Sequence, residues 1–345
     1  QRRQVGHPQV DPVDLDLPPR RPLQPEAEVE QRALASPRLA GDEHPLARGG
    51  QVTALVRSEA RARIRLADVA LQHGDRLRFL EWDLNRIAVP ELPPGITQVI
   101  HAASQASPRF YGPDPVGTAL PNAVGTAALL EAATRAKVQK FLFVSSSEVY
   151  GAVSSTEPLK ETDLGPLDPA TQRACYAESK RMGEALCVAR HAQHGLPTYI
   201  VRPFHTYGPG LTREDGRVFA DFAFAVAEGR PIVMTSDGSA RRAFCYVDDA
   251  VAGLLTVLDK GQPATPYNLA NPDAELSVRE LAELLVSLYP GSRLEQRPPP
   301  GGYLASPFNR LIPDISRLRA LGWQPTISAA EGFRRFIEHI RAHPR

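Results

Sequence analysis

In the stretch ACYAESKRMGEAL, residues 174–186, Tyr176 and Lys180 stand four positions apart. Helical geometry puts residues i and i+4 on one face, one turn apart. A free tyrosine ionises only near pH ~10 and is a poor base at neutral pH. A lysine ammonium held beside it favours the phenolate and lowers that value. Such a pair can take a proton from a substrate hydroxyl while a nicotinamide accepts hydride from the same carbon. The spacing alone is equally compatible with an ordinary amphipathic helix, its tyrosine packed and its lysine solvated. Upstream, an apolar run ends in Ser145, Ser146, Ser147 and Glu148. A hydroxyl there, that of Ser146, is placed to orient a substrate hydroxyl.

The elements that must position these residues can be read from the pattern of the chain. Gly49 and Gly50 close a helix end ahead of an apolar strand, residues 52–56. "ITQVIHAAS" reads as a strand leaving a loop of small residues. "NAVGTAALLEAATRAKV" reads as a helix with apolar residues at 124, 128, 129, 132 and 133. "KFLFVSSSEVYG" is a buried strand breaking into the serine loop, and the Tyr/Lys helix runs on to about His194. "PTYIVRPFHTYGPG" and "AFCYVDDAVAGLLTVLD" predict two further strands and a helix of the same sheet. Strands separated by helical crossovers imply α/β architecture, a doubly wound parallel sheet covered on both faces. In such sheets ligands sit at the carboxyl ends of the strands. Here those ends carry "HAAS" (101–104), "SSSE" (145–148) and "HTYGPG" (205–210). Residues 46–204 and 236–262 are assigned to this nucleotide-binding domain. Residues 205–235 and 263–345, rich in Pro and Gly with short helices, form a smaller substrate-binding lobe.

Bulk composition excludes several classes. The 345 residues carry 40 Lys and Arg against 39 Asp and Glu, a formal net charge of +1. No global field therefore favours nucleic acid or an anionic membrane. No apolar run is long enough to span a bilayer. Cys175, Cys187 and Cys245 are scattered without CxxC or zinc spacing, so no metal site is expected. Unpaired cysteines fit a reducing, cytoplasmic compartment. Residues 1–45 differ from the rest, with eight prolines and no Ile, Phe, Tyr, Trp, Met or Lys. Such a segment is expected to be loose coil.

Taken together, "IHAASQASP", "VSSSEVYG", "YAESK", "YGPG" and "RRAFCYVDD" resemble the extended short-chain dehydrogenase/reductase family that modifies nucleotide sugars (NAD-dependent epimerases and dehydratases). The likeness spans roughly residues 46–345. "YNLANP" (267–272) and "LGWQP" (321–325) extend it toward the UDP-glucuronate decarboxylases. The resemblance implies a Rossmann-type fold, a nucleotide-sugar substrate and transient oxidation at C4. It makes Tyr176 the base, Lys180 the residue that holds Tyr176 and the nicotinamide ribose, and Ser146 the contact to the C4 hydroxyl. Ser147 and Glu148 handle proton and carboxylate chemistry around C5. Ala102, Ala103, Ser104 and Pro203 line the cofactor, and Ser107 faces the substrate. Arg242 grips the diphosphate, with Arg217 a second candidate, and Arg310 lies near the sugar acid. His205 replaces the family's Asn next to the diphosphate, a departure that fits a subgroup with another sugar.

The triplet Ser146-Ser147-Glu148 lacks the aspartic acid with which the related 4,6-dehydratases protonate a leaving hydroxyl. A decarboxylase needs none, because oxidation at C4 makes a β-keto acid that loses carbon dioxide readily. A 4-epimerase or 4,6-dehydratase is the alternative within the family. A relative that binds substrate without cofactor is the alternative outside catalysis. The family opens with a strand and a G-x-x-G-x-x-G turn under the cofactor pyrophosphate. Counted back from "LARGG", the glycines belong near 32, 35 and 38, where this chain has Arg32, Ala35 and Arg38. The change of composition near residue 46 is what a shifted reading frame ahead of it would leave. NAD is the cofactor the resemblance implies. Arg57, where an acid would grip the NAD ribose, is also compatible with NADP, and Asp83 is an adenine-side candidate. The resemblance further implies a homodimer through helices 118–136 and 176–194.

Overall fold

The structure, a computed structural model, describes residues 50–153, 157–298 and 309–343. In chain order β1 (Val52–Val56), α1 (Glu59–Arg65), α2 (Ala67–His73) and β2 (Leu77–Glu81) make a first βαβ unit. β3 (Gln98–His101) follows, then α3 (Pro115–Leu120) and α4 (Thr126–Arg135), joined through one wide turn at Pro121–Gly125. β4 (Lys140–Val144) leads to α5 (Ala174–His194), β5 (Thr198–Pro203) and the short β6 (His205–Tyr207). Next come α6 (Val218–Ala227), β7 (Ile232–Met234), β8 (Arg241–Tyr246) and α7 (Val247–Lys260). β9 (Pro266–Leu269), β10 (Glu275–Ser277), α8 (Val278–Leu288) and β11 (Leu294–Gln296) precede β12 (Arg310–Leu311), α9 (Ser316–Arg319) and α10 (Ala329–Ala342).

The central sheet is parallel, in the order β3-β4-β5-β9. Its inner strands β4 and β5 are largely apolar runs because both of their faces are covered. Alternate residues take opposite faces. Phe141, Phe143 and Ile200 pack with Leu129, Leu130 and Ala133 of α4 and Cys187 of α5. Leu142, Tyr199 and Val201 pack instead with Leu254, Val257 and Leu258 of α7. The doubly wound α/β architecture expected from the alternation of strands and helices is therefore present.

One expectation needs correction. "RRAFCY" forms β8, but β8 does not join the central sheet. It lies at the middle of a second, mixed sheet, antiparallel to β10 and parallel to β12 and β6. Only the helix that follows, α7, returns to cover the central sheet. That sheet instead gains β9, from "PYNL" within the residues given to the smaller lobe. Beneath the second sheet Tyr207, Phe219, Phe222, Phe244, Leu281, Phe333 and Phe336 form a separate core.

A second feature concerns the edge of the central sheet. β1 and β2 pair with each other in parallel. Among the described residues no ladder joins β1 to β3. Side-chain packing still connects the two parts, since Leu55 and Val99 lie against one cluster. All five residues of β1 are half-exposed, and Ile100 of β3 is 42% exposed. Phe141, Leu142 and Phe143 of β4, with strands on both sides, are fully buried. The expected positions of the glycine turn, Arg32, Ala35 and Arg38, lie outside the described residues.

Several motif residues fasten segments that are remote in sequence. Asn268 donates through Nδ2 to the carbonyls of Leu159 and Asp314, each at 2.9 Å, and accepts the Tyr150 hydroxyl. Asp249 accepts the amides of Thr326 (3.0 Å) and Ile327 (2.9 Å), while the Trp323 indole donates to the Asp249 carbonyl at 3.1 Å.

Candidate active site

The end of β4 turns at once into a short 3-10 turn, Ser147–Tyr150. Ser146 caps it in an extended conformation, its hydroxyl accepting the Glu148 amide at 3.2 Å. Capping fixes the serine at the carboxyl edge of the sheet. Ser146 and Ser147 are both buried. Across from them the first turns of α5 carry Tyr176 and Lys180, 4% and 2% exposed. Lys180 is anchored by donating to the Val144 carbonyl at 2.8 Å. Its ammonium lies 5.7 Å from the Tyr176 ring centre and 5.1 Å from that of Phe143. A buried ammonium beside a buried phenol is the arrangement that favours phenolate.

Arg173, one turn ahead of Tyr176, was given no role by sequence reasoning. Its Nη2 meets Glu148 Oε1 at 2.7 Å, with the two side chains only 18% and 17% exposed. Its guanidinium lies 5.6 Å over the Tyr111 ring, and Tyr111 stacks on Tyr176 with centroids 5.1 Å apart. One residue thus links the carboxyl group to the tyrosine. Burial raises the Glu148 carboxyl above the ordinary range, and the charges of Arg173 and Arg242 oppose that rise. The "RACY" spelling held the signal, since position i−3 from Tyr176 shares its helix face.

The remaining polar candidates fall on β6, β8, β12 and the turn before α6. Arg242 is buried and donates to the Arg241 carbonyl at 2.8 Å. His205 sits edge-on to Phe219 and Phe244, at 6.1 and 5.9 Å. Burial, then the charges of Arg242 and Arg217, push its imidazole well below the ordinary range, so it is neutral at pH 7. Its Nδ1 is buried without a partner among the described residues. Arg217 makes a two-point contact with the fully buried Asp215, at 2.6 and 2.7 Å. Ser107 is buried and donates to the Asp215 carbonyl, which ties the β3 loop to the smaller lobe. Arg310 grips Glu275 with two contacts, at 3.0 and 2.9 Å. Glu148, Arg242, His205 and Arg217 therefore share one electrostatic neighbourhood.

A cleft opens at the carboxyl ends of β1, β2 and β3. Arg57, Trp82, Asp83, Asn85, Ala103, Ser104 and Gln105 line it. Ala102 lies half-buried beside these, and Pro203, half-buried, ends β5. Trp82, Asn85 and Gln105 were not singled out from sequence. Trp82 Nε1, Asn85 Oδ1 and Ser104 Oγ are buried and have no partner among the described residues. Polar groups left in that condition call for a ligand or water. An indole N–H, an amide oxygen and a hydroxyl together suit the polar edges of a nucleotide. Asp83 Oδ1 accepts the Asn85 amide at 3.0 Å and shapes the rim. His101, beneath this cleft, is structural. It is buried, bonded to Thr126 Oγ1 at 3.0 Å, and lowered by burial to about 3.

Residues 43–270 match the model of the NAD dependent epimerase/dehydratase family, and the chain belongs to that family. It is 37% identical over 248 residues to UDP-glucuronic acid decarboxylase 1 of Arabidopsis thaliana, covering 71% of this chain and 55% of that protein. To UDP-glucuronic acid decarboxylase 6 of the same plant it is 36% identical over 250 residues, covering 71% of this chain and 70% of that protein. The chain thus spans about half the length of the first of these relatives. Among solved structures it resembles DesIV, a dTDP-glucose 4,6-dehydratase of Streptomyces venezuelae crystallised with NAD. The TM-score is 0.75 at 26% identity, covering 90% of this chain and 94% of the dehydratase. Among the described residues no helix is long and apolar enough to cross a membrane, and no group of His, Cys, Asp or Glu could hold a metal.

Proposed function

We propose that this chain modifies a nucleotide sugar by transient oxidation at C4, most specifically the decarboxylation of UDP-glucuronate or a similar nucleotide uronic acid. The observation that carries the reading is the buried Tyr176–Lys180 pair beside the capped Ser146, with Glu148 held by Arg173. The 36–37% identity to UDP-glucuronic acid decarboxylases supports the choice of substrate. Trp82, Asn85, Ser104 and Lys180 would hold a nicotinamide dinucleotide, NAD being the one for which the family is named, and when bound it would supply reversible hydride exchange at C4. Tyr176 accepts the C4 hydroxyl proton, and Lys180 keeps the phenolate form accessible. Ser146 orients that hydroxyl. Glu148 serves proton movement at C5, its carboxyl poised by burial on one side and by Arg173 and Arg242 on the other. Ser147, a buried hydroxyl where a dehydratase would need an acid, favours decarboxylation over loss of water. Arg242, Arg217, Arg310, Ser107 and His205 are the groups assigned to the nucleotide diphosphate and the sugar acid.

Incubation of the purified protein with UDP-glucuronate is expected to release carbon dioxide and leave a UDP-pentose. Release of none, with UDP-glucose epimerised or dTDP-glucose dehydrated instead, would move the assignment to the alternatives. A second reading, a relative that keeps the cleft but retains no cofactor, draws on the missing G-x-x-G-x-x-G in residues 1–49. A homodimer through α3, α4 and α5 completes the proposal. Val116 and Met182 on those helices are exposed, at 65% and 52%.

A further inference from the structure

Arg57 follows β1 directly and lines the cleft at the carboxyl ends of β1, β2 and β3. Among the described residues it has no ion-pair or hydrogen-bond partner. Asp83 is the carboxylate that lines the same cleft. Asp83 Oδ1 accepts the Asn85 amide at 3.0 Å, and Glu81 Oε2 accepts the Glu59 amide at 3.0 Å. Glu59 is taken by Arg63 Nε at 2.8 Å. Among the described residues, a half-buried guanidinium without a counter-ion is thus set into a cleft whose buried polar atoms on Trp82, Asn85 and Ser104 also lack partners.

In a doubly wound dinucleotide site, the group at this strand end reads the adenosine ribose. A carboxylate there accepts the 2′-hydroxyl, whereas an arginine accommodates a 2′-phosphate. A guanidinium binds phosphate oxygens through two parallel N–H bonds, strong because both partners are charged. With an arginine rather than a carboxylate at the end of β1, the strand-end group favours the phosphate. We propose that Arg57 forms a 2′-phosphate site, and that this chain prefers NADP(H) to NAD(H). The proposal rests on the reading that this cleft holds a nicotinamide dinucleotide. It departs from the cofactor for which the family is named.

The test is calorimetric titration of the full chain with 2′,5′-ADP and 5′-AMP, then with NADP⁺ and NAD⁺. The phosphorylated member of each pair is expected to bind at least about tenfold more tightly, worth about 1.4 kcal/mol. In Arg57→Ala the affinities of each pair should converge, and Arg57→Lys should retain part of the difference. Equal binding of the two, tighter binding of NAD⁺, or an advantage that survives Arg57→Ala would overturn the 2′-phosphate site while leaving the dinucleotide reading intact. Failure of all four nucleotides to bind would overturn both. Circular dichroism of each variant separates loss of the site from loss of the fold.

Discussion

Replacing Arg173 by methionine tests the coupling of Glu148 to the tyrosine. The variant keeps an unbranched apolar stem and removes one charge from a pair 2.7 Å apart, both members more than four-fifths buried. Hydrogen bonds to charged groups contribute about 1.5–3 kcal/mol, and one pH unit corresponds to about 1.36 kcal/mol. The Glu148 carboxyl, already raised by burial, should therefore rise further, with the charge of Arg242 left to oppose it. The sign follows from the raised value. The group is protonated below its folded pKa, so activity that needs the carboxylate fails as pH falls through it. In Arg173→Met this acid limb should move toward higher pH. The assay is the pH dependence of kcat/KM, with the melting temperature followed as a control for folding. Glu148→Gln should abolish the shift, and Arg173→Lys should restore most of the wild-type profile. A lower rate with the acid limb unmoved would refute the coupling and leave Arg173 a packing residue.

Tyr176→Phe should eliminate turnover while nucleotide binding, measured by titration, stays within about twofold. Arg310→Ala should weaken UDP-glucuronate more than UDP-glucose, read as the ratio of the two dissociation constants; equal losses would count against the acid-sugar role. Glu184→Ala leaves Arg202, whose side chain is 4% exposed, without its carboxylate partner at 2.7 Å. Breaking a buried pair in this way costs about 3–5 kcal/mol, visible as a lower urea midpoint at unchanged slope.

Much of the central sheet was legible because its strands are short apolar runs between helices of clear period. The 52–56 strand and the helix ending at His194 fall where the pattern puts them. The fate of "RRAFCY" was not legible. Its β-forming residues suit either sheet, and the choice is made by partners remote in sequence, β10, β12 and β6. The serine loop and the Tyr/Lys turn could be found because their chemistry depends on local spacing. For Arg173 the i−3 spacing was present but its burial was not legible, since an arginine before a helix ordinarily faces solvent; it is the Tyr111 ring and Glu148 that bury it. Arg310 was singled out from its motif, but its partner Glu275, 35 positions away, was not legible. Asn268 and Asp249 belong to motifs that carry the family likeness, yet their contacts are those of fasteners between segments.

The break in pairing between β1 and β3 bears on how the molecule opens. Among the described residues, no interstrand hydrogen bond ties the β1–β2 unit to the rest, only side-chain packing of the kind Leu55 makes. Its amides should therefore exchange with solvent by local opening, at a free energy well below that of global unfolding, while those of β4 and β5 wait for the whole fold to open. The cleft is lined from both parts, so a nucleotide held there would touch both at once. It should slow exchange in β1 and β2 far more than in β4 and β5. The cofactor would then be a cross-brace of the fold as well as a reagent.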